Sequence, residues 1–184
     1  MDDANKQGDA ATAITFGSIR KMQLPSGWID VSDSLRSSGA RNVHRFEPLL
    51  SDGASLTFIL DHCPITAQTR QALGQVLTSE PHQLNNDELA GLVGVIDELS
   101  KPDQFKMEDV CTLDWNGRRC VGLSGSSTET DARSMLFYFL SGDDMSRREQ
   151  VSFTAPSALF SEYKQVVMSC FKTIQWDAGY LPRP

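Results

Sequence analysis

The chain has 184 residues, 40% of them hydrophobic and 22% charged, which suits one domain with a sizeable core. Its formal net charge is -7, and its basic pairs, Arg118-Arg119 and Arg147-Arg148, stand isolated rather than in a block. Such a surface repels phosphate backbones and anionic lipid, which argues against a nucleic-acid partner and leaves the acidity to serve solubility.

Residues 1–16 are small and polar and are read as a disordered tail. They carry no basic segment followed by an apolar core, and no apolar run approaches the ~20 residues of a membrane span. The expectation is a cytoplasmic protein without membrane insertion. Residues 17–176 are read as a single domain and 177–184 as a C-terminal tail.

Arg20 to Leu24 alternates, Pro25-Ser26-Gly27 marks a turn, and Trp28 to Val31 alternates again, a strand-turn-strand opening. Ser32 to Asn42 reads as a polar loop. Val43 to Phe46 and Ser55 to Leu60 are the next strands, with Ser51-Asp52-Gly53 between them.

Beyond Pro64 the period changes. Thr66 to Leu77 is helical, with Ala72, Leu73, Val76 and Leu77 on one side. A second helix follows with Leu89, Leu92, Val93, Ile96 and Leu99 at helical spacing. Asn85 is its cap, and Glu88 stands three residues on, where the acid of a capping box belongs. Gly91 and Gly94 weaken this helix, and close approach to a sheet is one reason to keep them.

Phe105 to Trp115 and Arg118 to Ser124 form a hairpin about Asn116-Gly117, a pair that accepts φ > 0 at both turn positions. A two-residue turn sets Trp115 opposite Arg118, Asp114 opposite Arg119 and Leu113 opposite Cys120. Met135 to Leu140 is apolar at every position, which requires a central strand covered on both faces. The stretch VSFTAPSALFSEYKQVVMSCFKTIQW (Val151 to Trp176) then gives a strand, a Pro156 turn with Ser157 as cap, and a helix. Phe160, Tyr163, Val167, Cys170, Phe171 and Ile174 fall on one stripe of that helix, with Met168 off its centre. The order is α+β: a mostly antiparallel twisted sheet with helices packed on both faces.

Candidate chemistry is thin. Cys63, Cys111, Cys120 and Cys170 form no C-x-x-C pair, and His44, His62 and His82 are far apart, so no zinc spacing exists. Cys111 and Cys120 fall diagonally on one hairpin face at ~7–8 Å, too far for an unstrained disulfide. Asp61-His62-Cys63 places neighbours on opposite strand faces, which is not triad geometry. Gly122-Leu123-Ser124-Gly125-Ser126 departs from the nucleophile elbow at its last residue and precedes a polar loop rather than a helix. Glu47, Asp52 and Asp61 have no spacing that selects a carboxylate pair. Asp97-Glu98 and Asp143-Asp144 read as solvated or turn residues. No cofactor or metal site is expected. Trp28, Trp115 and Trp176 each end a predicted element. Trp115, beside the hairpin tip, is the candidate partner-binding residue, because tips are exposed and aromatics anchor interfaces.

Leu24-Pro25-Ser26-Gly27-Trp28, the Trp115-Asn116-Gly117-Arg118 hairpin, and the VSFTAP strand leading to a helix that ends in Phe171-Lys172-Thr173-Ile174-Gln175-Trp176 together resemble the PsbP-like superfamily over roughly residues 18–176. Its relatives include the Ran-binding Mog proteins, the DcrB lipoproteins and the Eag chaperones. The resemblance implies an α/β/α sandwich and a non-enzymatic domain that binds another protein, as a bacterial secretion chaperone or adaptor. A small hydrolase-like enzyme using Cys63 or a carboxylate, and a domain taking a small apolar ligand between sheet and helix, are the alternatives.

Overall fold

The computed structural model describes residues 12–36, 42–50, 52–100, 104–141 and 145–178, the side chains at 34, 36, 61–63 and 97–100 excepted. In chain order the strands are β1 (Ala13–Phe16), β2 (Ile19–Gln23), β3 (Trp28–Asp30), β4 (Val43–Pro48), β5 (Ser55–Pro64), β6 (Phe105–Trp115), β7 (Arg118–Ser127), β8 (Ala132–Ser141), β9 (Arg147–Pro156) and β10 (Gln175–Trp176). The helices are α1 (Ser32–Arg36), α2 (Ala67–Thr78), α3 (Asn86–Ser100) and α4 (Phe160–Phe171). A seven-stranded sheet runs β3-β4-β5-β9-β8-β7-β6, antiparallel at each pairing, and a three-stranded sheet runs β1-β2-β10. The fold is α+β, with α2 and α3 on one face of the large sheet and α4 on the other.

The hairpin is as the sequence dictates. Asn116 and Gly117 have φ of 53° and 89°, and the pairs Trp115–Arg118, Asp114–Arg119 and Leu113–Cys120 face each other. The unbroken apolar run of β8 is divided between two cores: Met135, Phe137 and Phe139 join the α4 side, while Leu136, Tyr138 and Leu140 join the α2–α3 side. The capping box of α3 is formed as well. Asn85 Oδ1 accepts from the Asp87 and Glu88 N–H groups at 2.9 and 3.0 Å, and Glu88 Oε2 accepts the Asn85 N–H at 2.9 Å.

Several boundaries differ from the sequence reading. Within the expected tail, Ala13–Phe16 is strand β1: Ile14 and Phe16 alternate, and β2 lies one tight turn away. That turn requires Gly17 at φ 53°, where an added Cβ would collide with the Leu60 side chain. Residues 1–11 and 179–184 lie outside the described residues. The strands on either side of Pro25-Ser26-Gly27 do not pair; β2 enters the small sheet and β3 the large one. The start of the expected loop after Val31 is the short helix α1.

In α3 the buried positions are Leu92, Val95 and Ile96, whereas Val93 is 56% exposed and Leu99 lies outside the described side chains. Nothing lies within 4 Å of a Cβ built at Gly91 or Gly94, so close packing does not explain them. Ser157 is not the cap of α4. Strand β9 runs on to Pro156, opposite Ala132, the next residues form a turn, and Leu159 occupies the cap position without a side-chain bond.

Helix α4 buries Phe160, Val167, Cys170 and Phe171, with Tyr163 and Met168 at its margins. Phe171 stacks on Trp115 with ring centroids 4.0 Å apart and meets Phe137 edge-on at 5.6 Å. Phe171→Ala should cost about 3–5 kcal/mol in urea unfolding, and Phe171→Asp should abolish the cooperative transition. Wild-type melting of the aspartate variant would refute this packing.

Candidate functional site

Side chains of cross-strand partners share a sheet face, so register assigns each residue to one side. The apolar cluster under α2 and α3 draws on β6, β7 and β8 through Phe105, Val110, Val121, Leu123 and Tyr138, and takes no residue from β3, β4, β5 or β9. Among the described residues, therefore, α2 and α3 cover half of this face, and α1 meets the β4 end of the other. The other half shows the pairs Val43–Ile59 and Arg45–Thr57, continued by Thr57–Ser152 and Ile59–Gln150, all half-buried. Arg45 Nε donates to Glu47 Oε1 at 2.7 Å, so the charges on it are internally balanced. At its β3–β4 end Ile29, Leu49 and Leu50 are 43%, 65% and 88% exposed. A mixed polar and β-branched surface with an apolar margin has the make-up of a non-obligate protein interface. This half-face is the candidate site.

The opposite side of the large sheet is closed by a buried clamp. Arg118 Nη1 donates to Glu149 Oε2 at 2.7 Å and to Ser18 Oγ at 3.3 Å, and Nη2 donates to the Leu140 carbonyl at 3.2 Å. Ser18 Oγ donates in turn to Glu149 Oε2 at 3.0 Å. The guanidinium lies 4.6 Å from the Trp176 ring centroid and 5.0 Å from that of Phe139. Arg118 and Glu149 are 3% and 1% exposed, so this arrangement positions elements rather than meeting a ligand. Sequence reading missed it, although Glu149 shares the inward parity of Val151 and Phe153, a signal that a carboxylate points into the core.

A second polar knot sits where α2 passes to α3. Arg119 Nη1 donates to the carbonyls of Leu77 at 3.1 Å and Thr78 at 2.9 Å, and to that of Ser79, satisfying the open end of α2. Asp114 stands opposite Arg119 in register, as expected, but its carboxylate accepts the Gly117 N–H at 2.8 Å. His82 bonds the Glu80 carbonyl through Nδ1 at 2.7 Å and Glu88 through Nε2 at 2.9 Å. The Glu80 carbonyl and the Glu88 carboxylate raise the His82 pKa above its ordinary 6.5. The Asn85 N–H and the His82 ring lower that of Glu88.

The sequence candidates disperse. Trp115 is 5% exposed, stacked beneath Phe171 with its carbonyl accepting Trp176 Nε1 at 2.5 Å, so it is a core residue without the exposure expected beside the tip. The tip beyond it is exposed, but α4 lies over the ring. Trp28 and Trp176 are buried too. Cys120 and Cys170 are buried and Cys111 is half-buried, and all three are free. Burial pushes their thiols up, to about 11 for Cys170, which makes poor nucleophiles. In β5 the backbone of Cys63 pairs with Arg148 of β9, while the side chains of Asp61, His62 and Cys63 lie outside the described residues, as do those of Asp97-Glu98 and Asp143-Asp144.

Gly122 to Ser126 lies within β7, and Gly125 is required because a Cβ would strike the Lys106 carbonyl. Glu47 pairs with Arg45, and Asp52 accepts the Tyr163 hydroxyl, which raises that phenol to about 12. Among the described residues no group of three or more His, Cys, Asp or Glu side chains is placed to hold a metal. No described helix is long and apolar enough to cross a membrane.

Two open clefts mark the surface. One, of about 490 Å³, is lined by Lys21, Gln23, Asn116, Lys172, Thr173, Ile174 and Gln175. The other, of about 320 Å³, lies between α2 and α3, with Val76 and Leu92 at its base and Asp87 and Glu88 on its rim. Neither is an enclosed apolar chamber between sheet and helix.

No family model matches the chain, and no curated protein does. Among solved structures it is similar to the solution structure of cyanobacterial PsbP (CyanoP) from Synechocystis sp. PCC 6803, with a TM-score of 0.50 and 12% identity over 96% of this chain and 99% of that one. The fold is PsbP-like.

The two polar knots give separate predictions. Arg118→Met should cost about 3–5 kcal/mol in chemical denaturation, because Glu149 is left buried beside an apolar side chain. Adding Glu149→Gln should recover much of that loss, and strict additivity would refute the coupling. The raised His82 pKa stabilises the α2–α3 connection below pH 6.5 and is lost as pH rises through the folded value. The lowered Glu88 pKa stabilises it above the ordinary 4.5 and is lost as pH falls through the folded value. The connection is therefore most stable between these limits, and an NMR titration of the His82 ring should give a midpoint above 6.5.

Proposed function

We propose that this PsbP-like fold serves as a non-enzymatic domain that binds another protein through the open half of its large sheet. The observation that carries the reading is the unequal cover of one face: α2 and α3 pack over β6–β8, and among the described residues their cluster takes nothing from β3, β4, β5 or β9. Buried sheet faces are normally apolar and exposed ones polar. This half is neither: Val43 and Ile59 stand beside Arg45, Thr57, Ser152 and Gln150, and all are half-buried. Such a mixture is soluble alone and loses little on desolvation, as a reversible interface requires. The finer form of the proposal, drawn from the resemblance to chaperone-type relatives, is a secretion chaperone or adaptor acting in the cytoplasm.

The test uses the full chain with a photo-crosslinking residue at Thr57, and in a second protein at Gln75 on the exposed side of α2. A defined adduct from Thr57 and none from Gln75 is expected. Thr57→Arg should weaken the identified partner at least about tenfold without lowering the melting temperature. Equal labelling from both positions, or no adduct from Thr57 in native cells, would overturn the proposal.

A further inference from the structure

The 490 Å³ cleft lies on the α4 side of the molecule, away from the open half-face, and its chemistry is distinct. Lys21 on β2 stands opposite Gln175 on β10, and Gln23 follows two residues along β2. Lys172 ends α4. The floor is already satisfied: Asn116 Nδ2 donates to the Lys172 and Ile174 carbonyls at 3.1 and 2.6 Å, and the Gln23 N–H donates to Thr173 Oγ1 at 2.9 Å. Thr173 Oγ1 donates to the Cys170 carbonyl at 2.7 Å. These bonds fix the turn after α4 and leave the lysine and glutamine side chains as the groups with unused donors.

Among the described residues no carboxylate lines the cleft, although the chain carries 24 acidic residues against 17 basic ones. Among the described residues neither Lys21 nor Lys172 is in an ion pair. Lys172 complements the negative end of α4, but that effect needs no second lysine across a cleft.

We propose that this cleft binds carboxylate groups. Two ammonium charges supply attraction and the Gln23 and Gln175 amides supply directional donors, within a volume suited to a small ligand. The negative C-terminal end of α4 lies beside the cleft and opposes a phosphate dianion more than a singly charged carboxylate, whose planar oxygens suit the amide N–H donors. The carboxylates can come from a free polycarboxylate or from the acidic side chains of a peptide. This site stands apart from the open half-face and does not depend on it.

The experiment is an NMR titration of the full chain at low ionic strength with citrate, with triglutamate and with inorganic phosphate, following the Gln23 and Gln175 side-chain amides. Saturable shifts are expected with citrate or triglutamate, and the tighter of the two identifies the source. Lys21→Gln with Lys172→Gln should weaken binding roughly five- to thirtyfold. Both side chains are exposed, so the fold should be kept, and Lys106→Gln on β6 should leave binding unchanged. Absence of saturation, indifference to the double substitution, equal loss with Lys106→Gln, or equal binding of phosphate would each overturn the proposal.

Discussion

The buried pair of Arg118 and Glu149 is the constraint on which the architecture turns. It sits where both sheets, the hairpin tip and the last strand meet, and Ser18 and Trp176 complete it. An ion pair withdrawn from water is held against a desolvation penalty, so its geometry and its extra hydrogen bonds must be good. Here the Leu140 carbonyl, a serine hydroxyl and two aromatic faces provide them. Such a cluster specifies position: an apolar substitute would pack, but would not require Ser18 to face β9. The small sheet is thereby fixed on the large one, and α4 is then roofed over Trp115 and Phe137.

With that side closed, the other side and the edges divide the remaining surface. The outer edge of β6 is covered where residues 82–84 run along it, through Leu84 N–H to the Val110 carbonyl and Thr112 N–H to the His82 carbonyl. Near the other edge, Ser32 Oγ accepts the Arg45 N–H at 2.9 Å and so occupies part of β4. Exposed strand edges invite indiscriminate pairing, and these devices restrain it. Among the described residues, what these devices leave is a sheet face that presents side chains rather than a backbone edge.

Local chemistry was legible in the sequence. Asn116-Gly117 could close only one kind of turn, Asn85 with Glu88 could start only one helix, and Met135–Leu140 had to be covered twice. Each rests on neighbours a few residues apart. The misreadings rest on distant ones. Trp115 adjoins an exposed tip, yet its burial depends on Phe171, which arrives with the last helix. Alternation in β5 and β9 assigns residues to faces, but no local pattern says whether a helix will lie above Thr57 and Ser152. The small sheet was hidden because two-residue β10 is too short to have a period. The charged clamp was missed because the sequence shows Arg118 and Glu149 as surface types and only the packed structure brings them together.

The pairing of Gln175–Trp176 with Ile19–Lys21 has a consequence for how the molecule is made. The β1–β2 hairpin is translated before the large sheet, but its neighbour β10 follows only after α4, and Ser18 meets Glu149 across 131 positions. Contacts of such high sequence separation must overcome loop closure before they stabilise anything. During synthesis Ile19 and Met22, buried in the finished protein, wait without the helix and strand that cover them. The small sheet is closed only when β10 pairs with β2, so truncation before Trp176 acts on β1 and β2 as much as on α4.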